Sequence, residues 1–116
     1  MRNFEQNQSL RLWFEALASG VRGEEPDLSA RQMVILLTVY LSKGPHTVRD
    51  LSENLMISKP AVTRALDQLA DFEYITRAKD LRDRRIVLIN RTEVGDQFLD
   101  CFADKIELAK RKIGLG

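Results

Sequence analysis

A chain of 116 residues with a net charge of +1 is long enough for one domain around one core, and too nearly neutral to be a polybasic coat for nucleic acid. Its hydrophobic share of 44% and charged share of 30% are those of a folded globular domain and exclude a disordered tail. The single cysteine, Cys101, excludes an intrachain disulfide and fits a reducing compartment.

The opening residues, MRNFEQNQSLRLWF, carry polar and acidic side chains where a signal peptide needs an apolar run. The longest strongly apolar stretch runs from Met33 to Leu41, far below the roughly 20 residues of a membrane span. A cytoplasmic protein with no membrane partner is expected. A first helix is predicted from Asn3 to Ser19, with Leu10, Trp13, Phe14 and Leu17 on one face and Phe4 close to them. That face either caps the protein's own core or meets a second chain. Residues 20–27, GVRGEEPD, read as a loop from their Gly and Pro content.

Ser29 is the expected cap of a second helix ending near Ser42. Met33, Leu36, Leu37 and Tyr40 are its expected core face, widened by Val34, Ile35 and Leu41 into a central element. Lys43-Gly44-Pro45 ends it. His46, the only histidine, falls in this loop with no second ligand near it, so no metal or cofactor is expected.

From Thr47 to Leu69 the chain reads as two short helices with a tight turn between. Thr47 caps the first, and Val48, Leu51 and Leu55 recur at helical spacing. Residues 54–57 turn. Ser58 caps the second helix, and Pro60 sits in its first turn, where a missing N–H costs little. Val62, Leu66 and Leu69 make its buried stripe with Ala65 beside them, while Pro60, Arg64, Asp67 and Gln68 face out, flanked by Lys59 and Thr63. Two β-rich runs follow, Tyr74 to Arg77 and Arg85 to Asn90, around a charged hairpin. Arg77, Lys79, Arg82, Arg84, Arg85 and Arg91 crowd this region against only Asp80 and Asp83. Cations at a hairpin tip repel each other and build no core, so a local basic patch on a neutral protein reads as a footprint for a polyanion.

A last helix is expected from Thr92 to Ile113, capped by Thr92, with Glu93 and Asp96 at its positive end and Lys110, Arg111 and Lys112 at its negative end. Its stripe is Val94, Phe98, Phe102, Ile106, Ala109 and Ile113, and Gly114 stops it. Cys101 lies at the border of this stripe and is expected to be a small, partly buried apolar side chain, with an intersubunit disulfide as the alternative.

A helix-turn-helix followed by a basic hairpin is a winged helix: a mainly α fold with a small β-hairpin wing. The expected layout is one domain, with an N-terminal helix and loop over 1–27, a winged helix-turn-helix core over 28–91 and a C-terminal helix over 92–116. The pieces LSARQMVIL, TVRDLSENL, SKPAVTRALDQL, ITR, DLRDRR and TEVG, in this order and spacing, resemble the MarR family of bacterial transcription regulators. The resemblance covers most of Leu28 to Gly95. It implies a sequence-specific regulator, a repressor, that binds double-stranded DNA as a homodimer and takes a small aromatic effector. The chain departs from the family in three places. It shows one helix after the wing where the family has a further one, Met56 stands in the turn, and Glu73 stands where relatives often carry glycine.

In a winged helix the second helix of the motif enters the major groove. Ser58, Lys59, Pro60, Ala61, Thr63, Arg64 and Gln68 are the positions near it. Arg64 suits a guanine edge, Gln68 an adenine edge, and Ala61 or the Thr63 methyl a thymine methyl. Ser58, Thr63 and the helix start suit phosphate. Arg77, Lys79, Arg82, Asp83, Arg84 and Arg85 are the wing candidates. The family resemblance implies that one arginine of residues 82–85 enters the minor groove and that Asp83 braces a neighbouring arginine, without saying which. Dimerisation is assigned to Leu10, Trp13, Phe14, Phe98, Phe102 and Ile106. No phosphate-binding glycine loop, metal cluster or catalytic triad is present in the sequence, so an enzyme is not expected. The rival reading is a winged-helix module that binds protein instead of DNA.

Overall fold

The computed structural model describes residues 1–114. The element order is α1 (Phe4–Arg22), α2 (Ala30–Leu41), β1 (His46–Thr47), α3 (Val48–Leu55), α4 (Lys59–Asp71), β2 (Ile75–Lys79), β3 (Val87–Arg91) and α5 (Glu93–Lys112). The fold is mainly helical with a small antiparallel sheet in the order β1-β3-β2, that of a winged helix-turn-helix. Two compact units divide the chain: residues 28–96, and residues 1–27 together with those from Gln97 on.

The unit of residues 28–96 is built by the caps that the sequence announces. Ser29 closes a capping box with Gln32, and the oxygens of Thr47 and Ser58 accept the N–H groups of Asp50 and Ala61. The turn between α3 and α4 is made by Met56 in the left-handed conformation (φ 55°). Ile35, Leu36, Val39, Leu51, Val62, Leu66, Leu69 and Ile75 are almost wholly removed from water. The core face of α2 is therefore rotated from the expected one. Ile35, Leu36 and Val39 are buried, Met33 and Leu37 are half-buried, and Val34 and Leu41 are exposed. Apolar residues nearly all round this helix leave periodicity unable to choose among them, and the neighbours decide.

His46 is not in a loop. It pairs with Ile89 in β1, and Thr47 pairs with Leu88, adding a third strand beside the wing. A two-residue strand has no periodicity to read. β2 and β3 pair from Ile75 with Arg91 to Lys79 with Val87.

Around Tyr40 a polar knot ties four segments of this unit. Its hydroxyl donates to the carbonyl of Tyr74 (2.7 Å) and accepts from the N–H of Thr92 (2.9 Å). The Thr92 hydroxyl donates to the carbonyl of Glu73 (2.7 Å) and accepts from the N–H of Gly95 (2.9 Å), which caps α5. A Cβ at Gly95 would overlap the Tyr40 hydroxyl and the Tyr74 carbonyl, so only glycine fits there. Arg91 donates to the carbonyls of Val39 (2.9 Å) and Ser42 (3.1 Å), satisfying the end of α2. It belongs to the framework and leaves the basic patch that the sequence suggests.

In the other unit α1 starts from a capping box between Asn3 and Gln6 and runs a turn longer than expected, to Arg22. Gln8 donates to the Ile113 carbonyl, and Glu15 and Glu25 pair with Lys112 and Lys105 at 3.1 and 3.2 Å. Ala16 is its one buried residue, whereas Leu10, Trp13 and Phe14 are 51%, 63% and 57% exposed. Among the described residues no helix is long and apolar enough to cross a membrane.

Candidate nucleic-acid interface

The first surface is the outer side of α4. Ser58, Lys59, Pro60, Thr63, Arg64, Asp67 and Gln68 are exposed along it, while Val62, Ala65, Leu66 and Leu69 hold it to the core. Ala61 corrects the expected set. At 6% exposure it is buried with Val62 and Ala65, so its methyl is not available to a thymine. The first turn of a helix that packs by its start has less free surface than a wheel drawn from the N-cap suggests. Arg64 and Gln68 line a shallow cleft against the first turn of α2, where Arg31 joins them. Arg31 was not singled out from the sequence. Nothing local marks it, because only the packing of α2 on α4 brings it there.

The second surface is the wing. Between β2 and β3 the tip is shaped by two aspartates. Asp80 accepts the N–H of Arg82 (2.7 Å), and Asp83 accepts the N–H of Arg85 (3.1 Å), each two residues on. Asp83 also takes the Arg85 guanidinium by both oxygens, Nε to Oδ1 and Nη2 to Oδ2, each at 3.0 Å. Such a two-point grip fixes the direction of the fork as well as its charge. The Arg85 guanidinium, then its backbone N–H, holds the Asp83 carboxyl below the usual carboxylate range, and Asp83 in turn raises Arg85. The arginine that Asp83 braces is thus Arg85, a choice that the sequence leaves open. Its side chain remains 90% exposed.

Residues 28–87 match the MarR family. The chain belongs to that family. Among its relatives is the uncharacterized HTH-type transcriptional regulator YpoP of Bacillus subtilis, 33% identical over 81 residues, which are 70% of this chain and 57% of the relative. The chain therefore spans a little over half the length of that relative. A variant of S. aureus MepR has a TM-score of 0.77 at 19% identity, over 97% of this chain and 83% of that one. Another MepR variant, bound to an oligodeoxyribonucleotide, has a TM-score of 0.74 at 18% identity, over 94% of this chain and 75% of that one. At such identities the likeness is one of fold.

Within this MarR chain the six basic residues of the wing region divide by what they touch. Arg91 caps α2, Arg85 is held by Asp83, and Arg77 pairs with Asp67 of α4 at 2.6 Å. Asp67 faces solvent, as the sequence suggests, and is ion-paired there. Lys79, Arg82 and Arg84 carry no side-chain partner among the described residues. Of the residues assigned to dimerisation, Phe98 is corrected: it is 7% exposed within the chain, and Phe102 and Ile106 are half-buried. Cys101 is exposed and not partly covered, because it falls just off the stripe formed by Phe98 and Phe102. Among the described residues no group of three His, Cys, Asp or Glu side chains comes together to hold a metal.

Proposed function

We propose that this protein is a sequence-specific DNA-binding transcription regulator of the repressor type, acting as a homodimer on a two-fold operator. The observation that carries the reading is the braced wing: an exposed arginine, Arg85, aimed by a two-point grip of Asp83 at the tip of a hairpin beside an exposed polar helix. A charged loop with no ligand has no need to hold a guanidinium in one direction. An aimed arginine suits a narrow minor groove, where the negative potential is enhanced. Arg64 and Gln68 then read guanine and adenine edges in the adjoining major groove, and Ser58, Lys59 and Thr63 hold phosphates. Lys79, Arg82 and Arg84 supply further phosphate contacts. Repression follows from occupancy, since a protein lying across both grooves excludes other proteins from the same stretch. The DNA-bound MepR variant supports the reading by likeness of fold.

The dimer is supported by α1. Leu10, Trp13, Phe14, Leu17 and Val21 form an exposed apolar run that its own chain does not cover. Two copies would place two reading helices on half-sites about one helical turn apart.

The test is a titration of genomic duplex fragments across a salt series. Selective binding with a steep salt slope is expected. Converting Arg84 and Arg85 to alanine should lower affinity for all duplexes and flatten the slope by about one unit per lost contact. No binding at low salt, with protein partners captured instead, would replace this reading by that of a protein-binding winged helix.

A further inference from the structure

Among the described residues, the ion pair between Arg77 and Asp67 is the one link in which a carboxylate of α4 meets a cation of the wing. It joins the exposed face of α4 to the first strand of the hairpin, where Arg77 stands opposite Ile89. At 2.6 Å, Nη1 to Oδ1, it is a close contact, yet both side chains keep a third or more of their surface in water (33% and 57%). Asp67 lies one turn after Thr63, on the face that also carries Pro60 and Arg64.

Charge on that face is otherwise hard to understand. Every duplex approaching α4 brings phosphates, and an exposed carboxylate there repels all of them regardless of sequence. A carboxylate can read a cytosine amino group, but an oxygen already held by a guanidinium is poorly placed to do so. Arg77, meanwhile, carries a guanidinium fork of the kind that binds phosphate and is given a carboxylate in place of one. Arg85 keeps a side chain that is 90% exposed, with Nη1 outside the grip of Asp83. The Arg77 side chain is only 33% exposed and offers its Nη1 to Asp67, where a carboxylate and a phosphate oxygen compete for it.

We propose that Asp67 withholds Arg77 from the DNA backbone and so limits binding to non-cognate duplexes: it is a positioning residue that sets specificity through Arg77. The inference rests on the DNA-binding reading above and deepens it. Affinity for phosphate is shared by all sequences, whereas base-edge contacts belong to the operator alone. Neutralising one cation in the free protein lowers the first and leaves the second, which widens the ratio between them. Discrimination is obtained here by suppressing the wrong complexes as well as by favouring the right one.

The test uses Asp67→Asn, which keeps the shape and removes the charge, with Arg77→Ala and the double variant beside it. Binding to a cognate and a non-cognate duplex is measured from roughly 50 to 200 mM salt. In Asp67→Asn the non-cognate affinity should rise and its salt slope should steepen by about 0.9, so that its advantage over the wild type shrinks about 3.5-fold across that range. The ratio of cognate to non-cognate affinity should fall. Arg77→Ala alone should leave the slope near the wild-type value, and the double variant should return to it. A pair with only a structural role would shift thermal stability and leave all four slopes equal, which overturns the inference. A slope that flattens by about 0.9 in Arg77→Ala also overturns it, because Arg77 would then be a phosphate contact already. Wild-type protein that binds no duplex at low salt overturns the DNA-binding reading itself, and the inference with it.

Discussion

Residues 28–96 and the helical unit made by residues 1–27 and the C-terminal segment treat their apolar side chains in opposite ways. The first puts Ile35, Leu36, Leu51, Leu66, Leu69 and Ile75 almost wholly out of water and turns its charged side chains outward. The second buries Ala16 from its first helix and leaves Trp13 and Phe14 more than half exposed. Both helices, α1 and α4, are amphipathic by sequence. The difference is that α4 has neighbours inside its unit to cover its stripe, and α1 turns its small residue inward and its large ones out. A self-sufficient unit can present a recognition surface, while a unit with uncovered aromatics is built to be completed. That contrast is the physical basis for the proposal that one meets DNA and the other a second chain.

The contrast breaks most sharply at Leu66. It is fully buried, and Leu66→Ala should cost about 2–5 kcal/mol in denaturant or thermal unfolding, since it removes methyl groups and leaves a cavity. A smaller loss would mean that the core of residues 28–96 is less well packed than its burial indicates. Trp13→Asp tests the other unit. It should leave the fold intact and weaken self-association by about 2 kcal/mol or more, the range of a buried aromatic anchor, seen as a shift to monomer in sedimentation. Wild-type protein that stays monomeric at high concentration would remove the dimer from the mechanism. Arg64→Ala should cost about 1–3 kcal/mol on the preferred duplex and relax selection at one base pair. Equal losses on every sequence would make Arg64 a phosphate contact. The smallest effect is expected at Glu73, which holds φ at 65°. Left-handed backbone is unfavourable for a residue with a Cβ by roughly 1–2 kcal/mol, part of which glycine gives back through its freer unfolded chain. Glu73→Gly should therefore raise stability by under about 1 kcal/mol, with DNA affinity unchanged.

How much of this was legible in advance depends on whether the signal is local. Caps are local: Ser29, Thr47 and Ser58 compete for the free N–H groups of the turn that follows them, so each helix start could be read from three or four residues. The left-handed positions were marked only indirectly, by the resemblance and not by a local signal. Met56 and Glu73 stand out as departures from the family's pattern, and both adopt positive φ. The stripe of α4 was legible because polar and apolar residues alternate cleanly along it. The basic hairpin was legible as charge density, and with it the order of helices and wing that places the chain in the MarR family.

Tertiary structure decided what depends on residues far apart in sequence. Which apolar face of α2 is buried, and that His46 pairs with Ile89, are settled by neighbours that no short window contains. So is the partition of the cations: six basic residues look alike in the sequence, yet one ends α2, one is aimed by Asp83 and one is held by Asp67. A charge is fixed by its side chain, but its task is fixed by whatever lies within a few ångströms of it. Composition and spacing determined the fold class, the helix starts and the place of the basic surface. The packing alone determined which arginine is free to meet a polyanion, because Coulomb and hydrogen-bond energies depend on distance and direction, and the chain sets both only once it has folded.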